Sequence, residues 1–364
     1  MSETGLLAGP RGRRLCLEVA KELGGESVTL PLFWLARQHA SEPGTMLAFV
    51  GDSSPEAVAE HREAMRAQTD AAQVSDLTAA LVAVDPAAIT GAVVAQAFAR
   101  SVDMAMYWQP PDGDDTVAAM PEVIEALRPL AVAVQAHPST AWWGAGVRAP
   151  QWAVQWDDVA STARLEIGTR EDLDRWRDQV VAGEARAASD RPKDPGASYS
   201  GNWWSKPAFI TAATAGDDSE GVPACISMVE DSLGWKEATA VEMTGTGRMC
   251  EIRGIDDWAE LCRRYPLELT NEHRHDWYHV TGRDGVWVEP DWRAVAEDYD
   301  AVHLTAWAYL TGATREIVVD AERSSIIAGW GPDVTYWLTG TVRETGERVG
   351  WRRDPHGLRW ARAN

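Results

Sequence analysis

Asp291–Gly340 is the stretch on which the reading of this chain turns: DWRAVAEDYDAVHLTAWAYL at 291–310, a spacer, then SSIIAGWGPDVTYWLTG at 324–340. Behind Asp291, Trp292, Val295 and Tyr299 recur at helical spacing, which predicts a short helix over Asp291–Tyr299. β-Branched and aromatic residues then predict strands at Ala301–Ala306, Glu316–Asp320, Ser325–Trp330 and Thr335–Gly340. Hydroxyl, carboxylate and imidazole groups stand at the ends of these strands. Upstream, Arg248–Arg253 (RMCEIR) reads as a strand and Val286–Glu289 as a short one. Asp256–Tyr265 (DDWAELCRRY) reads as a helix with Trp258, Leu261, Cys262 and Tyr265 on one face. Short strands alternating with small helices make this half α+β.

The first half reads as mainly helical with some strands. Arg14–Ala20 and Ser27–Ala36 are apolar runs whose type the pattern leaves open. Ser54-Pro55-Glu56 and Asp85-Pro86 each pair a capping side chain with proline at the first helical position, and Pro121 opens a further helix with Pro129 as a kink. Gln151–Asp157 alternates Trp152, Val154 and Trp156 with polar residues, the period of a half-buried strand. Thr169–Val181 is a capped amphipathic helix. Ala182–Ser200 is poor in apolar residues and rich in Pro, Gly, Ser and charge, which predicts a linker. The expected division is therefore a helical domain at 1–181, a linker at 182–200, an α+β domain at 201–340, and a basic hairpin or tail at 341–364, with ETGER as its turn. Between two of the early helices, Tyr107–Asp115 (YWQPPDGDD) carries three acids in a loop, either a cation site or a solvated turn.

A net charge of −21 argues against a nucleic-acid-binding body, which needs Lys/Arg surfaces to neutralise phosphates. Residues 341–364 depart from it: six arginines face three acids, leaving −24 on the rest, and the tail is expected to dock on its own acidic body. Four cysteines without a CxxC pair predict free thiols rather than a disulfide framework. No window is apolar enough to span a bilayer, and Arg11, Arg13 and Arg14 break the order of a signal peptide, so we expect a cytoplasmic protein. Twelve of the 19 tryptophans follow residue 200; they suit a core and aromatic-lined pockets alike.

Phosphate-cradling loops, the nucleophile elbow and the HExxH zinc motif are missing from the sequence. His273, His275 and His279 (NEHRHDWYH) form either a three-nitrogen metal site or part of a surface loop. The polar surroundings favour the loop, so no metal is expected.

One order of segments points further. Trp203-Trp204-Ser205-Lys206-Pro207 leads into FITAAT (Phe209–Thr214); then come RMCEIR, DDWAELCRRY, PDW with VAEDYDAVHLT, and GWGPDVTYW. Across Tyr199–Gly340 this order resembles phage and bacterial proteins of the ADP-ribosyltransferase fold. The resemblance implies a split-sheet domain that takes NAD as a substrate and transfers ADP-ribose to an acceptor, or hydrolyses NAD. In it, Lys206 matches a Lys-Pro step, Thr211 or Thr214 the hydroxyl end of the first strand, Tyr299-Asp300 a Tyr-Asp pair, and Trp330 a Gly-Trp step. Asp333 falls where a glutamate is expected, with Thr335 and Trp337 following. A fixed carboxylate there would stabilise the positive charge that develops on the ribose. The implied catalytic residues are Asp333, Thr211 and His303; Lys206, Thr214, Tyr309, Trp330 and Thr335 would hold the NAD. Two other readings stand beside this one: a non-catalytic module that binds a small molecule or peptide in a Trp-lined cleft, and an NAD-independent tailoring enzyme of a biosynthetic pathway.

Overall fold

The computed structural model describes residues 5–39, 73–165, 167–207, 212–231, 235–354 and 359–363. The expected helix start at Ser54-Pro55-Glu56 lies outside them, as does Thr211. The chain is α+β. Twelve strands are described: β1 (Gln151–Trp156), β2 (Ala212–Ala215), β3 (Glu237–Gly245), β4 (Met249–Ile252), β5 (Pro266–Glu268), β6 (Val286–Pro290), β7 (Ala301–Leu304), β8 (Ile317–Val318), β9 (Arg323–Ser325), β10 (Val334–Trp337), β11 (Val342–Arg353) and β12 (Trp360–Arg362). Eight of them form one sheet in the order β12-β11-β3-β1-β2-β10-β7-β4, and the remaining four a smaller sheet in the order β5-β6-β9-β8.

The early apolar runs resolve into helices, Pro10–Gly24 and Glu26–Gln38. Proline opens the first, as it does Pro121–Ala136, which carries Pro129 in its interior. Asp85 caps only a 3-10 turn, Pro86–Ala88; the helix behind it is Gly91–Asp103, capped by the Thr90 hydroxyl on the Val93 amide. Leu15, Val19, Phe98, Leu127 and Leu130 from these helices share one core with Val302, Leu304 and Tyr336 of the large sheet. Residues alternate across a strand, so the opposite face carries Ala301 and Trp337. There they pack with Ala153, Ala212, Val241 and Met243 beneath Leu165 and Ile167.

This arrangement changes the expected division. β1, from the first half, lies between β2 and β3 in the middle of the large sheet, pairing with β3 over its whole length. The apolar core likewise runs from Leu6 to Leu338. The expected linker is half helix, because Arg170–Asp190 continues nine residues past Val181. Its inward positions are small, Gly183 and Ala187, which let the helix lie close against Thr270–Thr281. The residues beyond it are tied down by Arg191, which donates to Glu272 Oε2 at 2.5 Å and to the Glu272 carbonyl. The turn expected at ETGER, in the hairpin or tail of 341–364, is instead part of one continuous strand, β11, with an irregularity between Glu344 and Arg348. There Gly346, at φ +108°, takes a conformation that other residues adopt rarely. The basic tail thus extends the sheet edge, with Arg352 on Glu237 of β3.

Thr169 and Asp172 form a reciprocal capping box at the start of Arg170–Asp190. Thr169→Ala is expected to lower unfolding stability by about 1 kcal/mol, read as a drop in the urea midpoint that Thr169→Ser restores. An unchanged midpoint would show the cap to be idle.

Candidate active site

A row of polar side chains crosses the buried sheet face next to Ala301 and Trp337. β4, β7, β10 and β2 place Glu251 opposite His303, His303 opposite Thr335, and Thr335 opposite Thr214. Directly paired positions share a face, so the four side chains stand side by side. Gln151, at the start of β1, continues the row: Thr214 Oγ1 donates to its Oε1 at 2.6 Å, and Trp337 Nε1 donates to Thr214 Oγ1 at 2.9 Å. No local sequence pattern carries this row, because each strand supplies one polar residue and the register supplies the rest.

Asp333 stands at the head of β10 in the turn after Gly331-Pro332. Its φ of +62° is a left-handed value that aspartate tolerates better than most residues. The turn brings the carboxyl inside, fully buried. Oδ2 accepts from Arg148 Nη2 at 2.8 Å and from the Gly216 amide at 3.1 Å. A side chain at Gly216 would press on both partners, its Cβ coming within 2.9 Å of the guanidinium and 3.0 Å of the carboxylate. Arg148 also donates to the Asp217 carbonyl at 2.7 Å and lies 4.7 Å above the Trp142 ring.

Four buried polar atoms in this cluster have no hydrogen-bond partner among the described residues: Asp333 Oδ1, His303 Nε2, Glu251 Oε2 and Arg148 Nε. The imidazole nitrogen is 3.8 Å from the first carboxylate and 4.0 Å from the second, too far for direct hydrogen bonds. His303 Nδ1 meets Thr335 Oγ1 at 3.0 Å, which fixes the ring. Burial holds the imidazole neutral, its pKa pushed down to about 4. Burial also raises Asp333, to about 6 against the pull of Arg148, and raises Glu251 above the ordinary carboxylate range. Two reluctant carboxylates around a neutral imidazole can exchange a proton near neutral pH through a hydroxyl held between them.

The expected site residues therefore divide. Asp333, His303, Thr335 and Thr214 come together, joined by Arg148, Glu251 and Gln151, which the sequence reading did not single out. Lys206 and Tyr309 gather elsewhere, at Glu230. This buried carboxyl accepts from Tyr309 at 2.9 Å and Tyr107 at 2.5 Å, and burial pushes its pKa up to about 8. Burial lowers the Lys206 ammonium, which Glu230 partly offsets. Tyr336, which alternates with Thr335 on β10, feels the charge of Glu230, so this cluster belongs to the other side of the sheet. Trp330 is fully buried and ringed by Trp258, Trp292 and Tyr336 at 4.7 to 5.8 Å, which leaves no face for a ligand. Trp142 is the aromatic beside Arg148.

The histidine trio does not converge. It lies on the helix Thr270–Thr281 rather than on a strand or loop, and a helix turns His275 about 200° away from His273. His273 is held by the Asn202 carbonyl at 2.7 Å and Glu289 at 3.3 Å. Among the described residues no group of three or more His, Cys, Asp or Glu side chains is arranged to hold a metal ion. The acidic stretch at Tyr107–Asp115 ends in a short helix, Gly113–Ala118, capped by Asp112, and it does meet cations, but from the chain itself. Arg14 contacts Asp112 and Asp115 at 2.9 and 3.2 Å, Arg11 also pairs with Asp115, and Lys21 meets Asp114 at 3.1 Å. Cys16, Cys225, Cys250 and Cys262 are free. No described helix is long and apolar enough to cross a membrane. No family model matches the chain, and neither a curated protein nor a solved structure matches it significantly.

Proposed function

We propose that the chain cleaves the nicotinamide–ribose bond of NAD at the Asp333 cluster and passes ADP-ribose to water or to an acceptor. The observation that carries this reading is the set of three orphaned polar atoms on Asp333, His303 and Glu251. Buried polar atoms without partners are costly, and a sugar hydroxyl offers the donor and acceptor that the three together lack. Glycosidic cleavage uses a carboxylate that faces the developing positive charge and a second group that moves a proton. Asp333 has the first role and Glu251 the second, with His303 between them. Thr335 orients His303, and Gly216 keeps room for the carboxylate. Arg148, a quarter exposed, is the cation available to a diphosphate.

A non-catalytic binding module is the second reading, favoured by one observation: Arg148 already neutralises Asp333. Calorimetry with NAD, with released nicotinamide assayed in the same samples, separates the two. We expect binding and release by the native chain, and a loss of release of about a hundredfold or more in Asp333→Asn. Binding without release would leave only the module. Neither heat nor release would end the NAD reading, and with it the functional value of the resemblance, and would leave a module for another ligand.

A further inference from the structure

A cavity of about 360 Å³ opens between the start of the first helix and the segment after Ala306–Gly312. Its wall combines apolar side chains, among them Met104, Met106 and Val280, with Arg13 and Arg315. It shares no residue with the Asp333 cluster. The volume falls in the range of small-molecule sites.

The charge balance of the wall is uneven. Its carboxylates are engaged. Asp112 accepts from Arg14 through both oxygens at 2.9 Å, Asp115 is held by Arg11 and Arg14, and Glu316 accepts from Ser324 at 2.7 Å with Arg283 at 3.4 Å. Arg13 and Arg315 have no carboxylate partner among the described residues. Arg13 donates to the carbonyls of Leu7 and Ala8 at 3.2 and 3.4 Å, and Arg315 to Ala8 and Glu316 at 2.9 and 3.4 Å. Both guanidinium groups thus crowd onto the Ala8 carbonyl. Arg13 Nε is buried and makes no hydrogen bond. Burial lowers the Arg13 pKa, and the charge of Arg315 lowers it further, against the weaker pull of Asp115. Two half-buried like charges beside a cavity cost stability unless an anion joins them.

We propose that this cavity binds a small phosphate monoester with an apolar body, its dianionic head between Arg13 and Arg315 and its body against Met104, Met106 and Val280. A monoester supplies close to two negative charges and three acceptor oxygens at neutral pH, matching two guanidinium forks where a single carboxylate would match one. The inference is independent of NAD chemistry. Such a ligand would also link the first helix to the α+β half and stabilise the whole chain by mass action.

Calorimetry on the full chain with phenyl phosphate, benzoate and inorganic phosphate tests it, using native protein, Arg13→Gln, Arg315→Gln and Ala119→Trp. Ala119 is an exposed residue of the cavity wall, so the last variant blocks the opening without touching the core. The expected result is phenyl phosphate binding that weakens about tenfold or more in each arginine variant and disappears in Ala119→Trp, with benzoate binding at least about tenfold more weakly. Without ligand, each arginine variant should melt no lower than the native chain, since it relieves a repulsion; a merely structural arginine would lower the melting point. The proposal is overturned if the native chain binds no phenyl phosphate, if benzoate binds equally well, or if the variants bind as the native chain does.

Discussion

Asp333→Asn is expected to give a chain whose stability falls away in acid between pH 6.5 and pH 4, by about 3 kcal/mol more than the native chain loses. The reason is an opposition between two neighbours. Folding raises the Asp333 pKa from 3.8 to about 6, so between those values the folded chain binds more protons than the unfolded one, and acid stabilises it. Folding lowers the His303 pKa from 6.5 to about 4, so over nearly the same window the folded chain binds fewer protons, and acid destabilises it. Each shift is worth about 3 kcal/mol, and the two cancel in the native chain. Asparagine removes the Asp333 contribution while keeping an acceptor for the Gly216 amide, so the His303 slope emerges. His303→Gln should do the reverse and make the chain gain stability on acidification relative to the native one. Urea unfolding at pH 7.5 and 4.5 measures both. Parallel profiles for the native chain and Asp333→Asn would mean that burial does not raise the Asp333 carboxyl.

The same cluster shows what the sequence could and could not reveal. Elements whose pattern is complete within a few residues were legible. The alternation at Gln151–Trp156 became β1, and DDWAELCRRY became the helix Ile255–Arg264. Trp292–Asp298 and β7 lie within their expected spans, and β10 overlaps its own, starting one residue earlier and ending at Trp337. The helix Ala306–Gly312 was missed although Thr305 caps it on the Ala308 amide, because AWAYL reads equally well as the end of a strand. ETGER reads as a turn, and only pairing with β3 makes it a bulge in a longer strand. Asp333, His303, Thr214 and Thr335 were named together through a resemblance. Their contact depends on strands that pair out of chain order, with β2 beside β10 and β10 beside β7. Arg148 could not be read at all: it lies 185 residues from its partner Asp333, in a loop whose composition is unremarkable for a surface. Glu251 sits in a plain strand pattern, and only the parallel pairing of β4 with β7 sets it against His303.

The acidic stretch teaches the converse, and its prediction has the other large effect. Read locally, Asp112, Asp114 and Asp115 are either a cation site or a solvated turn. In the fold they surround Arg14, a buried guanidinium that also holds Glu18 at 2.9 Å on its own helix. Gly113 makes the approach possible, since a Cβ there would collide with the Ala36 carbonyl. Removing one partner of a buried ion pair leaves the other charge unmatched and costs roughly 3–5 kcal/mol. Arg14→Leu fills the space yet strips the counter-charge from four carboxylates, so it should fall in that range at pH 7.5. Lys21 and Arg11 remain for Asp114 and Asp115, which keeps the loss short of four separate penalties. Acid should narrow the difference. Burial opposes ionisation of Glu18, but Arg14 and Lys21 outweigh it and hold its carboxyl below the ordinary range. That depressed pKa is a stabilisation of the native chain, present above the unfolded value and lost as pH falls through the folded one. The variant keeps only the share that Lys21 supplies, so the gap between native and Arg14→Leu urea midpoints should shrink as pH falls from 4.5 toward the lower folded value. A gap that stayed constant would assign the loss to packing of the arginine stem, and not to the charges it gathers.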